Sequence, residues 1–228
     1  LSGQVPSEEV YRQLAPRCNT TQYRERLVRN DPTWRWVYPV HEALPAVGHR
    51  MGKYDKVRVI HRRHVRSTHA HSGRNLEILN KVPMDRRDER IWFYFGLEYA
   101  SSGRTDEAIA AFEKYLPMST VEDERYLVHC FLGDLHRSKN ESDQAIQSYL
   151  RAIELRPTWR DAYAGLLQSY VQKGDMKTAL YYGAMCERAE IPDTPFAYNP
   201  IHERVGWVGD YTKVLLAHGQ VNDALRLT

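Results

Sequence analysis

The chain has 228 residues, 42% hydrophobic, 11% aromatic and 27% charged, with a mean hydropathy of −0.62. That composition excludes a disordered tail and, with no run near the roughly eighteen apolar residues a bilayer span needs, it excludes a transmembrane helix. The net charge of +3 hides an asymmetry: residues 1–80 hold fourteen Lys and Arg against seven Asp and Glu, residues 81–228 eighteen against twenty-two, which places a domain boundary near residue 80.

Residues 7–15 are expected to form a short helix, with Ser7 as N-cap, Glu8 and Glu9 at the positive end of its dipole, and Pro16 as its stop. Three strand-like runs follow, Gln22 to Arg29, Trp34 to Val40 and Lys56 to His61, rich in Val, Tyr, Trp and Ile and separated by turn residues. Three strands cannot close a core alone, so they are expected to belong to, or pack on, a larger sheet. The basic run Lys56 to Arg66 attracts phosphate, either of nucleic acid or of a diphosphate, but no nucleic-acid motif surrounds it. His61, His64, His69 and His71 lack helical i, i+4 pairing and cysteine partners, so a histidine-rich loop explains them better than a metal site of their own. Cys18, Cys130 and Cys186 lie far apart, which argues against a disulfide framework and for a reducing, cytoplasmic compartment. The first residue is Leu1 and no leader pattern follows it, so the chain is expected to be a piece of something longer.

Asn75 to Lys81 reads as a helix leading into a second half that repeats itself. Trp92, Phe95, Gly96, Tyr99, Gly103, Ala108, Phe112 and Tyr115 form one copy. Leu132, Gly133, His136, Asn140, Ala145, Tyr149, Ala152 and Pro157 form a second, and Tyr163, Leu166, Leu167, Tyr170, Gly174, Ala179, Gly183 and Cys186 a third. Apolar residues at i, i+3, i+4 and i+7 on both sides of a short turn predict a helical hairpin. Gly103, Asn140 and Gly174 sit where the first helix must end in a left-handed residue, and Ala108, Ala145 and Ala179 are small where the paired helices meet. The pattern resembles the tetratricopeptide repeat, with units near 89–122, 126–159 and 160–193 and a partial unit at 205–228, and an ordered loop around Asp193 to Asn199.

The resemblance implies a solenoid whose first helices line a groove for a protein or peptide partner, or for self-association, through Phe93, Tyr94, Leu97, Glu98, Cys130, Asp134, Ala164 and Gln168. The Lys, Asn and Arg of the carboxylate clamp of chaperone-binding members are missing there. Most of the tyrosines fall on core positions of the unit and are read as packing.

Residues 26–79 carry a second resemblance. Arg26-Leu27-Val28-Arg29, Trp34 to Glu42, Val57 to His61 and Arg74 to Leu79, in that order, resemble the end of family 2 glycosyltransferases of the A-type fold, one branch of which continues into tetratricopeptide repeats at a junction like Asp88-Glu89-Arg90. The resemblance implies that the nucleotide-binding half with its Asp-x-Asp motif precedes Leu1. It implies Glu42, with His41 beside it, as the acceptor-side carboxylate, either general base or orienting group; His61 at a divalent metal, Mn or Mg; and Arg62 and Arg63 on the diphosphate. The expected fold is therefore mainly α, a tetratricopeptide-type helical-hairpin solenoid (81–228) preceded by a small α+β segment (1–80) that ends an A-type glycosyltransferase domain. The expected function is transfer of a sugar from a nucleotide-sugar donor, with residues 1–228 inactive alone; the alternative is a non-catalytic interaction scaffold.

Overall fold

The computed structural model describes residues 37–40, 73–190 and 207–227, which fall into two compact units, residues 37–119 and residues 120–227. In the first, α1 (Arg74–Asn80) leads through a 3₁₀ turn (Met84–Arg86) into the hairpin of α2 (Glu89–Ser101) and α3 (Thr105–Tyr115). Helix α2 starts where Asp88 Oδ1 accepts the N–H of Ile91 at 3.0 Å, satisfying one of the four donors that a helix start leaves unpaired. Arg87 fixes the approach to it: its Nε donates to the Val82 carbonyl, and its guanidinium lies 4.8 Å from the centre of the Phe95 ring. Leu76 and Leu79 of α1, Ile91 and Phe95 of α2, Ala111 of α3 and the separate residue Val40 share one core.

The second unit is three hairpins in succession: α4 (Glu122–Ser138) with α5 (Ser142–Leu155), α6 (Arg160–Lys173) with α7 (Met176–Arg188), and α8 (Trp207–Ala217) with α9 (Val221–Leu227). Helix α5 packs on α6 and α7 on α8, while the first helices also touch in sequence, α4 on α6 and α6 on α8.

One turn closes all four hairpins. Gly103, Asn140, Gly174 and Gly219 have φ of 75°, 61°, 78° and 72°. In each case the following residue donates to the carbonyl five residues back (Arg104 to Tyr99, Glu141 to His136, Asp175 to Tyr170, Gln220 to Leu215), and the left-handed residue donates three back. This is the Schellman arrangement, which satisfies helix-end carbonyls that would otherwise be orphaned. Beside the turns Ala108, Ala145, Ala179 and Ala224 are buried, as the close approach of paired helices demands.

Glycine also sets how rings cross between helices. A Cβ on Gly96 would fall 2.3 Å from the Phe112 ring, and one on Gly183 would fall 2.1 Å from the Tyr211 ring. Tyr149 is enclosed twice, with Gly133 of its own hairpin and Gly165 of the next each leaving bare backbone against its ring. Arg160 locks the third hairpin: its Nε donates to the carbonyl of Cys186 and its Nη2 to that of Ala189, so a first helix caps the end of α7.

The structure corrects the sequence reading at several points. The strand expected over Trp34 to Val40 is not one where it is described: Val37 makes a single bridge, residues 38–40 bend, and Tyr38 takes a left-handed φ of 72°. Pro39 removes a ladder donor, and Val40 turns instead into the helical core, which accounts for the apolar signal there. No strand occurs among the described residues, and Trp159 and Glu190 are joined by an isolated bridge. The α+β segment that would end a glycosyltransferase domain is thus unsupported. The helix over 7–15, the strands over 22–29 and 56–61 and the loop at 193–199 lie outside the described residues.

Candidate functional site

Of the residues expected to carry chemistry, His41, Glu42, His61, Arg62 and Arg63 lie outside the described residues. The expected groove residues are described, and the structure sorts them. In the first unit Tyr94 is half-buried, with Arg90 above its ring at 5.1 Å from the centroid and Phe93 edge-on at 5.5 Å. Glu98 accepts a 2.6 Å hydrogen bond from Asn75 Nδ2 of α1, and Leu97 beside it is half-buried. Phe93 is half-buried, with its ring against those of Phe112 and Tyr115 of α3.

In the second unit Cys130 is removed from the groove. It is buried among Tyr126, Ala145 and Leu166, and burial pushes its thiol well above the usual range. Cys186 is buried too, and both cysteines are free. Ala164 packs against the core of the last two hairpins.

Asp134 and Gln168 stay on the face of the first helices, and each has a structural tie. The Tyr149 hydroxyl donates to Asp134 Oδ1 at 2.7 Å and Arg137 Nη2 donates to the same oxygen at 3.2 Å, yet the Asp134 side chain remains 57% exposed. Burial first, and then this carboxylate, hold the Tyr149 phenol well above its usual range, so the hydroxyl stays a donor at neutral pH. Gln168 Nε2 donates to Asp210 Oδ2 of α8 at 3.2 Å, and Lys213 Nζ reaches the other Asp210 oxygen at 3.2 Å. Two links at the turns join the second and third hairpins: Gln172 Nε2 to Asn140 Oδ1, and Lys173 Nζ to Asp143 Oδ1 at 2.8 Å.

Between the second and third hairpins a phenol stands over a helix start. Tyr126 Oη accepts the N–H of Ala162 at 3.2 Å and stands 3.4 Å from Asp161 Oδ2, while Trp159 lies edge-on to its ring at 4.8 Å. Arg156 ties the same corner to Asp123 and Glu122 of α4. These contacts fix the first helices relative to one another before any ligand arrives. Burial first, and then Arg125 and Arg151, move His129 on α4 down to about 4.

Among the described residues no group of three His, Cys, Asp or Glu is placed to hold a metal, and no helix is long and apolar enough to cross a membrane. The arrangement there is one of surfaces: an ordered polar face on α4, α6 and α8, with hydrogen-bonding groups at fixed places. Sequence spacing could not reveal that Arg160 caps the far end of α7 within its own hairpin or that Gly165 receives Tyr149 from the preceding one, since each contact joins positions on different helices. The signal for the second was the pair Gly133 and Gly165 flanking an aromatic.

The family model for the tetratricopeptide repeat matches residues 89–118 and 127–158. No curated protein matches the chain. Among solved structures the chain is similar to a crystal structure of MamA protein (18% identity, TM-score 0.54, covering 69% of this chain and 79% of that one). It is also similar to MamA 41-end from Desulfovibrio magneticus RS-1 (12% identity, TM-score 0.54, 68% of this chain and 81% of that one) and to a MamA RS-1 double mutant (12%, TM-score 0.55, 69% and 82%). At these identities the likeness is one of fold: a mainly helical solenoid-type array containing tetratricopeptide repeats.

Proposed function

We propose that this chain, as a carrier of tetratricopeptide repeats, is a protein-interaction scaffold that binds a protein or peptide partner on the face of its first helices. The observation that carries the reading is the prearranged polar row on α4, α6 and α8, where Gln168, Asp210 and Lys213 are linked side chain to side chain while Asp134 stays open to solvent. Rigid backbones presenting ordered hydrogen-bonding groups lower the entropy lost on binding, which is how such arrays take extended chains. Peptide selection on the immobilised 228-residue chain tests it: binders should compete with one another and be lost on Gln168→Arg or Lys213→Glu. Binders indifferent to both substitutions would remove this face from the function.

A second reading, the family 2 glycosyltransferase, is supported by the ordered motifs of residues 26–79 and by one feature of the first unit. Val40, which directly precedes His41 and Glu42 in the sequence, is 4% exposed in the same core as Ile91 and Phe95. In this reading Glu42 deprotonates or orients the acceptor with His41 beside it, and Arg62 and Arg63 meet the diphosphate. His61 serves a divalent metal, Mn or Mg, and the repeats select the acceptor or join two subunits. Its test is nucleotide-sugar turnover by the chain joined to whatever its gene encodes before Leu1. Glu42→Gln should lower turnover about 10²-fold if Glu42 is the base, and residues 1–228 alone should transfer nothing. An unaltered rate, or an upstream segment without Asp-x-Asp, would end this reading.

A further inference from the structure

The second unit holds a cleft that the first-helix face does not include. Lys177, Tyr181, Ala184 and Arg188 follow one another on α7 at i, i+4, i+7 and i+11, hence along one side of the helix. Facing them across the cleft are Tyr211 and Leu215 of α8, and with Leu180 these residues make an apolar floor. The cavity measures about 420 Å³, inside the range of about 300–1,000 Å³ seen for binding clefts.

Its charges are unequally used. Arg226 of α9 reaches Glu187 of α7 at 2.7 Å, so the acidic side chain of that wall is already matched, and Asp223 stands one helical turn before Arg226. Lys177 and Arg188 are exposed and hold no ion pair among the described residues. Tyr181 lies edge-on to Tyr182 at 5.2 Å, Tyr182 itself stacks on Tyr170, and the Tyr181 ring is left 57% exposed as a wall. An apolar trough with an unmatched cation toward each end of its α7 side is complementary to an apolar side chain set between two carboxylates.

We infer that this cleft is a second binding site, taking a short extended peptide with a bulky apolar residue at its centre and an acidic residue at each end. Eleven residues of α7 separate the two cations, about 16 Å along the axis at 1.5 Å per residue, so at roughly 3.3 Å per extended residue the two carboxylates stand about five residues apart. The apolar residue enters between Tyr181 and Tyr211, and the carboxylates meet Lys177 and Arg188.

The test is a fluorescence-polarisation titration of the full 228-residue chain with labelled Glu-Ser-Phe-Leu-Ser-Glu, against one counterpart with Lys at both ends and another with Ala for Phe and Leu. The acidic peptide should bind about tenfold or more tightly than either control, and less tightly as salt rises. Lys177→Glu with Arg188→Glu should weaken it about tenfold, and Lys177→Gln with Arg188→Gln by a smaller factor. Lys213→Glu on the first-helix face should leave it unchanged. Circular dichroism verifies that each variant is folded. Equal binding of a control peptide, or indifference to both paired substitutions, would overturn the proposal. A loss confined to Lys213→Glu would move the peptide to the first-helix face and overturn it as well. So would sedimentation showing that a second copy of the chain covers the cleft, with Lys177→Glu and Arg188→Glu dissociating the pair.

Discussion

Gly165→Ala sets two effects of opposite sign against each other. In the interior of α6 alanine is better than glycine by about 1 kcal/mol, because glycine loses more backbone freedom on folding. Against this, the new Cβ would fall 2.2 Å from Cε1 and 2.3 Å from Cζ of Tyr149, a ring that is 1% exposed. The ring cannot retreat, since Gly133 lies against it from its own hairpin, where a Cβ would sit 2.5 Å away, and its hydroxyl is tied to Asp134. Overpacking of this kind costs about 1–3 kcal/mol and here falls at the upper end, so the net effect is a destabilisation of about 1–2 kcal/mol. The assay is urea denaturation followed by far-UV circular dichroism, repeated in a Tyr149→Leu background. Without the ring, Gly165→Ala should reverse sign and stabilise by up to about 1 kcal/mol, giving a coupling of about 2–3 kcal/mol. If Gly165→Ala stabilises the unmodified chain, or the two substitutions add without coupling, the glycine is not what joins these hairpins. The consequence reaches the binding face, because α6 also carries Gln168 and a displaced α6 would break its bond to Asp210.

The turn residue Asn140, at φ 61°, should accept Gly almost without cost, whereas Asn140→Val should lose about 1–2 kcal/mol in the same denaturation assay. Arg160→Ala should cost about 1–2 kcal/mol by leaving the carbonyls of Cys186 and Ala189 uncapped, and Arg160→Lys should recover only part of it; equal melting curves for all three proteins would refute the capping role. His129 titrates near 4 in the folded chain and near 6.5 when unfolded, so its contribution is fully present above about pH 6.5 and lost as pH falls toward 4. Discounted for its partial exposure, the loss is about 1–2 kcal/mol, measured as the difference in pH dependence between the parent and His129→Gln; parallel curves would show that His129 is not desolvated.

By itself the sequence determined the hairpin count and the turns of the repeat region. Gly103, Asn140 and Gly174 were legible because a left-handed residue is a local requirement, and Ala108, Ala145 and Ala179 because a small side chain at a fixed distance from the turn is local too. On the first-helix face Asp134 and Gln168 were legible as outward positions, but what they bond was not. Cys130 read as a groove residue and is buried, whereas Phe93 is half-buried with its ring against Tyr115. Spacing gives a residue's angle on its own helix, but which neighbour covers that angle depends on how the next helix is set. Val40 carried the signal of a strand and is a core residue of helices, since apolar alternation records burial and not the partner that provides it. The cleft beside Tyr181 was wholly tertiary. Its walls are separated in the chain by the connection from α7 to α8, and only the packing of α7 on α8, with the Tyr211 ring on Gly183, brings two unmatched cations and an apolar floor to one place.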